Sequence, residues 1–314
     1  MATLIAPIQT SAKEDAELVN KAVKGWGYDE KTLIKILGHR NAYQRQQLKQ
    51  AYEEMFNEDL VKRLESELSG DLEKAVYRWM LDPADRDALI ANIAIKKGSP
   101  DYHVIIEIAC VLSPEELLAV RKAYQIRYKR SLEEEVASNT SGDIRKLLVG
   151  LVTAYRYNGD DVDAKLADKE ADILHDAIKN KNYTNEEVIR ILSTRSRYQL
   201  LATFNRYRDE HGHSVSKALS SLRENDFINA MHTTIQCIND HKKYYQKVLR
   251  SSMEGFGTDE DALTRVIVTR AEKDLKDIKE LYFRKNSVSL DHDVAKDTSG
   301  DYEAFLLTLL GKED

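Results

Sequence analysis

Apolar residues recur along the chain at spacings of three and four. Leu48, Ala51, Tyr52 and Met55 fall at i, i+3, i+4 and i+7, and Leu72, Ala75, Val76, Trp79 and Met80 continue the same stripe one segment later. A period near 3.6 gathers such residues on one helix face and leaves the intervening polar positions to water. Asp29, Ser69 and Asp71 stand where helix caps or first-turn acids belong. No stretch alternates apolar and polar residues between hairpin turns, so strands are not predicted. The pattern predicts an all-α protein built of short helices.

A second, longer period lies over the first. Glu67-Leu-Ser-Gly-Asp-Leu-Glu-Lys matches Asn139-Thr-Ser-Gly-Asp-Ile-Arg-Lys and Asp297-Thr-Ser-Gly-Asp-Tyr-Glu-Ala. The block from Asp29 to Arg40 matches those from Asn185 to Arg195 and from Asp259 to Arg270, with His103-Val-Ile-Ile-Glu-Ile-Ala-Cys as a weaker fourth copy. Repetition at roughly 70 to 85 residues signals an array of similar units. We expect a short tail over 1–11 and four repeats of about five helices each over 12–81, 84–155, 165–238 and 241–312. Linkers are short. The one from Tyr155 to Asp163 is acidic but lacks the spacing of an EF-hand loop, so it reads as a solvated connection.

Composition narrows the function. The 314 residues exceed one ordinary core, and 32% charged residues with 13 Gly and 4 Pro suit a soluble, helix-rich chain. No apolar run approaches a membrane span, and Met1 to Pro7 lacks the basic start and long apolar stretch of a signal peptide. Cys110 and Cys237 form no CxxC pair, and a reducing cytosol is the simplest home for them. The net charge of −6 gives no overall attraction to nucleic acid or to anionic lipid. Binding to an anionic surface would need a positive mediator.

Such a mediator is suggested by two glycine loops, Lys24-Gly25-Trp26-Gly27-Tyr28 and Glu254-Gly255-Phe256-Gly257-Thr258. Each is followed, 40 residues after its second glycine, by a carboxylate: Glu67 and Asp297. A loop that can turn its carbonyls outward, completed by a distant acid, offers only oxygen ligands. Those suit a hard cation of high coordination number, with calcium first. The loops are not nucleotide-binding loops. Glu30 and Glu260 stand where a third glycine would be, and the flanks are helical.

The whole chain after about residue 12 resembles the annexin family, whose signature is G-x-G-T, 38 residues, then Asp or Glu. Repeat four carries it unchanged and repeat one carries Tyr28 for Thr. The short tail, Trp26 and the pair Cys110 and Cys237 resemble plant annexins in particular. The resemblance implies four five-helix repeats forming a slightly curved disc, with calcium holding the protein to acidic phospholipid. It implies calcium ligation by the carbonyls of Val23, Gly25 and Gly27 with Glu67, and of Met253, Gly255 and Gly257 with Asp297. Tyr28, Glu30, Thr258 and Glu260 are possible accessory positions. About five protein oxygens per site leave room for water or lipid phosphate, since calcium takes roughly 6–8. One carboxylate per site predicts an affinity of order 10⁻⁴–10⁻³ M without lipid. Trp26 and Phe256, at the loop tips, are candidates for membrane contact.

The other two repeats have lost these groups. Their aligned positions read Lys97, Ser99 and Asn139, and Asn182 and Arg223, so calcium is expected in repeats one and four only. Lys96, Lys97, Lys179 and Lys181 are either lipid contacts or solvated loop residues. The expected function is calcium-dependent, peripheral membrane binding by a non-enzyme, cytoplasmic and reversibly at the inner face of the plasma membrane or endomembranes. It is expected to be a monomer in solution, with self-association on membranes left open. Alternatives are a haem peroxidase-like activity at His39, nucleotide hydrolysis, or an actin adaptor through Ile189-Arg190-Ile191. At His39 and at that triplet, structural packing is the favoured explanation, as are buried inert thiols for the two cysteines.

Overall fold

The computed structural model describes residues 1–24, 29–153, 155–222, 225–255 and 257–312. Every regular element among them is a helix. The first repeat contains α1 (Ala12–Lys24), α2 (Glu30–Leu37), α3 (Ala42–Phe56), α4 (Leu60–Glu67) and α5 (Gly70–Met80). The second contains α6 (Pro83–Lys96), α7 (Tyr102–Val111), α8 (Pro114–Tyr128), α9 (Leu132–Asn139) and α10 (Gly142–Thr153). The third begins with α11 (Ala164–Lys179), α12 (Glu186–Thr194), α13 (Arg197–His211) and α14 (Val215–Ser220). Then α15 (Asp226–Ser252) serves two repeats, because Asp240, at φ −154° and ψ 84°, breaks it into two helical parts. The last repeat adds α16 (Glu260–Arg270), α17 (Leu275–Asn286), α18 (Leu290–Asp297) and α19 (Gly300–Leu309). No described helix is long and apolar enough to cross a membrane.

The repeated Ser-Gly-Asp blocks mark one sharp corner in each of three repeats. Gly70, Gly142 and Gly300 have φ of 66°, 60° and 66°. Side chains with a Cβ avoid that region, so glycine is what lets α5, α10 and α19 start directly after the preceding helix. Asp29 caps α2 as expected, accepting from the Thr32 amide at 3.1 Å. Ser69 differs: it occupies the N-cap of α5 but makes no side-chain cap bond. The left-handed glycine after it replaces the regular first turn that such a bond would span.

The chain divides into two compact units, Met1–Arg86 with Tyr245–Asp314, and Asp87–Tyr244. The first therefore holds repeats one and four. In its core Trp79 is fully buried and its Nε1 donates to the Leu37 carbonyl at 2.8 Å. Arg45 lies over the Trp79 ring at 3.7 Å, donates to the Arg40 carbonyl and pairs with Glu272 at 2.9 Å. Burying a ring of that size contributes about 4–6 kcal/mol. The expected tail is held to this unit. The Met1 ammonium pairs with Asp277 at 2.8 Å, and Thr3 Oγ1 donates to the Leu309 carbonyl at 2.7 Å.

The arginine that recurs at the end of the second helix in repeats one, three and four ties that helix to the first one of its repeat. Arg40 forks onto Asp15 at 2.6 and 2.7 Å, and Arg195 meets Glu170 at 2.7 Å in the second unit. In repeat four the acid is replaced by Tyr245, and Arg270 lies 5.0 Å over its ring while pairing with Asp274. One sequence signal thus serves one structural joint through two chemistries.

Candidate metal centre

In repeat four all the expected ligands lie among the described residues. Its loop begins where α15 ends and is closed by the Asp259 amide donating to the Ser252 carbonyl at 2.8 Å. Gly255 and Gly257 sit at φ 107° and 93°, and a Cβ added to either would meet nothing within 4 Å. Glycine is therefore required by the backbone and not by crowding. The carbonyls of Met253, Gly255 and Gly257 accept no hydrogen bond from any described residue. Thr258 Oγ1 donates to the backbone carbonyl of Asp297 at 3.0 Å, which fastens the loop to the last residue of α18. The half-buried Asp297 carboxylate has no ion-pair partner among the described residues. Three carbonyls without a partner among the described residues, on a loop tied through Thr258 to the residue that bears the carboxylate, offer oxygen donors of the kind calcium takes. Phe256 lies outside the described residues.

Repeat one shares the frame. The Asp29 amide donates to the Ala22 carbonyl at 3.2 Å, the counterpart of the closure in repeat four. Gly25, Trp26, Gly27 and Tyr28 lie outside the described residues, so of the expected ligands the structure describes Val23 and Glu67. These two are already joined. Arg63 Nη2 stands 2.8 Å from Glu67 Oε1 and 3.5 Å from the Val23 carbonyl oxygen.

The two distant acids come together. Glu67 and Asp297 line one cavity of about 390 Å³ within the first unit, along with Glu30, Asp71, Glu260 and Asp301. These residues form three pairs, each member 230 positions from its counterpart. The expected accessory acids, Glu30 and Glu260, thus face the same space as the main ones. Sequence spacing puts them near the loops; it does not bring the acids of the two repeats to one cavity.

In repeat two the loop is closed the same way, with the Asp101 amide on the Ala94 carbonyl at 2.9 Å. Its chemistry is different. Lys96 extends its ammonium to Glu135, which also takes Arg130 at 3.5 Å and the Asn139 amide nitrogen at 3.1 Å. Burial opposes the Glu135 charge, but the Lys96 and Asn139 hydrogen bonds hold its carboxyl below the usual range. Lys96 is thereby committed within the protein. In repeat three the loop turns through Lys181 at φ 56°, and Arg223 lies outside the described residues.

His39 Nδ1 bonds to the Lys35 carbonyl at 2.8 Å, which holds the ring against its own helix end. Ile189 and Ile191 are buried in α12 and Arg190 pairs with Glu187 at 2.6 Å. Cys110 and Cys237 are both buried, and burial pushes the Cys110 thiol up to about 11 even beside Arg156. A thiol so raised is a poor nucleophile at neutral pH.

The family model described as Annexin matches residues 14–79, 86–151, 169–233 and 244–309. The chain belongs to the annexin family. The annexin-like protein RJ4 of Fragaria ananassa is 68% identical over 314 residues, covering 100% of both chains. Annexin D7 of Arabidopsis thaliana is 50% identical over 100% of this chain and 99% of its own. Among solved structures, annexin III superposes with a TM-score of 0.93 at 31% identity, covering 100% of this chain and 98% of its own. A calcium-bound annexin (Sm)1 gives 0.87 at 29% identity over 99% and 93%. Annexin repeats and the annexin fold support calcium-dependent phospholipid binding as the general activity of this chain.

Proposed function

We propose that this annexin binds acidic phospholipid as a peripheral protein through calcium held in repeats one and four. The repeat-four site supports this reading most directly: three carbonyls, two of them on glycines of positive φ, and the Asp297 carboxylate have no partner among the described residues, and Thr258 joins Asp297 to the loop. Bound calcium would bridge these oxygens to a lipid phosphate, which gives a chain of net charge −6 its attraction to an anionic surface. Met253, Gly255 and Gly257 would supply carbonyls and Asp297 its carboxylate, with Val23, Gly25, Gly27 and Glu67 equivalent in repeat one. Trp26 and Phe256 would then enter the membrane interface. The repeats span 12–81, 84–155, 165–238 and 241–312 in this reading, and the protein acts at cytoplasmic membrane faces.

Sedimentation with phosphatidylserine vesicles tests it. The protein should pellet with vesicles in calcium, remain in solution in chelator, and ignore phosphatidylcholine vesicles under both conditions. Pelleting that persists unchanged in chelator would rule out calcium bridging.

A further inference from the structure

The two repeats read here as calcium sites differ at a position that their shared spacing obscures. Four residues before the distant acid, repeat one has Arg63 and repeat four has Asp293. Arg63 points along α4 to Glu67, and the same Nη2 group reaches the Val23 carbonyl. Its other terminal nitrogen lies 3.9 Å from Glu58. The guanidinium is about one-quarter exposed and Glu67 less so, which shields the contact from bulk water. In repeat four the arginine comes from the other side. Arg250, at the end of α15, pairs with Glu254 at 2.6 Å and Asp293 at 3.3 Å, while Tyr282 donates to Asp293 at 2.6 Å. That network leaves Asp297 out. Repeat two carries the trend further, with the Lys96 ammonium seated among Glu135 and its neighbours.

We propose that Arg63 is an internal competitor for calcium at repeat one, so that repeat four fills at lower calcium and repeat one follows only when the guanidinium is displaced. The proposal rests on the reading of Glu67 and Val23 as ligands. The physical reason is direct. One nitrogen of fixed positive charge stands against a carbonyl and a carboxylate that a calcium ion would have to share. Partly exposed ion pairs are modest in strength, so the competition is a matter of a few-fold and not a block. Such a difference lets one molecule attach through repeat four and tighten through repeat one as calcium rises.

The test uses the full-length protein and phosphatidylserine vesicles, with half-saturating calcium for sedimentation as the readout. In an Asp297→Asn background, where repeat one reports, Arg63→Gln should lower half-saturating calcium by about two- to fivefold. Arg63→Lys, which keeps the charge but loses the planar fork, should fall between Arg63→Gln and the parent. In a Glu67→Gln background, where repeat four reports, Arg63→Gln should shift the value less. An unchanged or higher half-saturation in the first background would overturn the proposal, as would an equal shift in both, which would indicate general charge. Melting curves confirm folding, and Arg63→Lys carries the test if Arg63→Gln is unstable. If the Glu67→Gln, Asp297→Asn pair still pellets like wild type, the ligand assignment itself fails, an outcome distinct from failure of Arg63 alone.

Discussion

At the scale of single residues, the repeat-four loop makes separable demands on backbone and side chain. Gly257 sits at φ 93° in open space, so Gly257→Ala should act through the backbone alone. Its cost is about 1–2 kcal/mol or more at a φ that L-residues avoid. It should weaken calcium-dependent pelleting at least about fivefold in a Glu67→Gln background, with a melting temperature lowered by only a few degrees. A large loss of melting temperature would mean that the glycine serves packing instead. Thr258 acts differently, through its 3.0 Å bond to the Asp297 carbonyl. Removing a hydrogen bond of this kind costs about 0.5–1.5 kcal/mol, so Thr258→Val should raise half-saturating calcium by about two- to tenfold in the same background. A calcium titration that superposes on the parent would show that the loop needs no such tie.

At the scale of elements, helices were largely legible and side-chain pairing was not. The 3.6-residue period pointed to α3 and α5, because burial of one face leaves marks in local sequence. Arg63 carried no comparable mark. Its meaning depends on which way a long side chain turns along α4, and an i,i+4 pair with Glu67 looks like any surface pair until Val23 is seen beside it. The same limit hid a histidine cluster in repeat three. His175 on α11 stacks on His211 of α13 with ring centroids 3.7 Å apart, and Tyr207 and His213 pack around them. Burial, then His211 and Lys179, lower the pKa of His175, with Asp176 opposing and His213 adding to the effect. The folded protein therefore prefers neutral His175. Its contribution to stability is present above the ordinary value of about 6.5 and is lost as pH falls from there through the lowered one. Melting should fall more steeply below about pH 6.5 in wild type than in His175→Phe, which keeps the stack but cannot take a proton. Parallel pH profiles for the two would remove His175 from the account.

At the scale of the whole molecule, the main result is that Glu67 and Asp297, 230 residues apart, line one cavity in one compact unit. The sequence spacing showed that each acid belonged to a loop. Spacing alone does not show that first and last repeats share a unit, because that depends on chain closure and not on local pattern; the family resemblance is what implies that repeats one and four lie beside each other. Two weak sites held in one unit should act together on a membrane and gain beyond either alone by about 10²–10⁴-fold. The single changes Glu67→Gln and Asp297→Asn should each weaken binding, Asp297→Asn more, since Arg63 already burdens repeat one. The most direct measurement is calcium-dependent pelleting of the double variant on phosphatidylserine vesicles beside wild type. Bridging by these two repeats predicts that the double variant stays in solution at calcium levels that pellet wild type completely, while its melting curve is unchanged. Pelleting equal to wild type at the same calcium would contradict it.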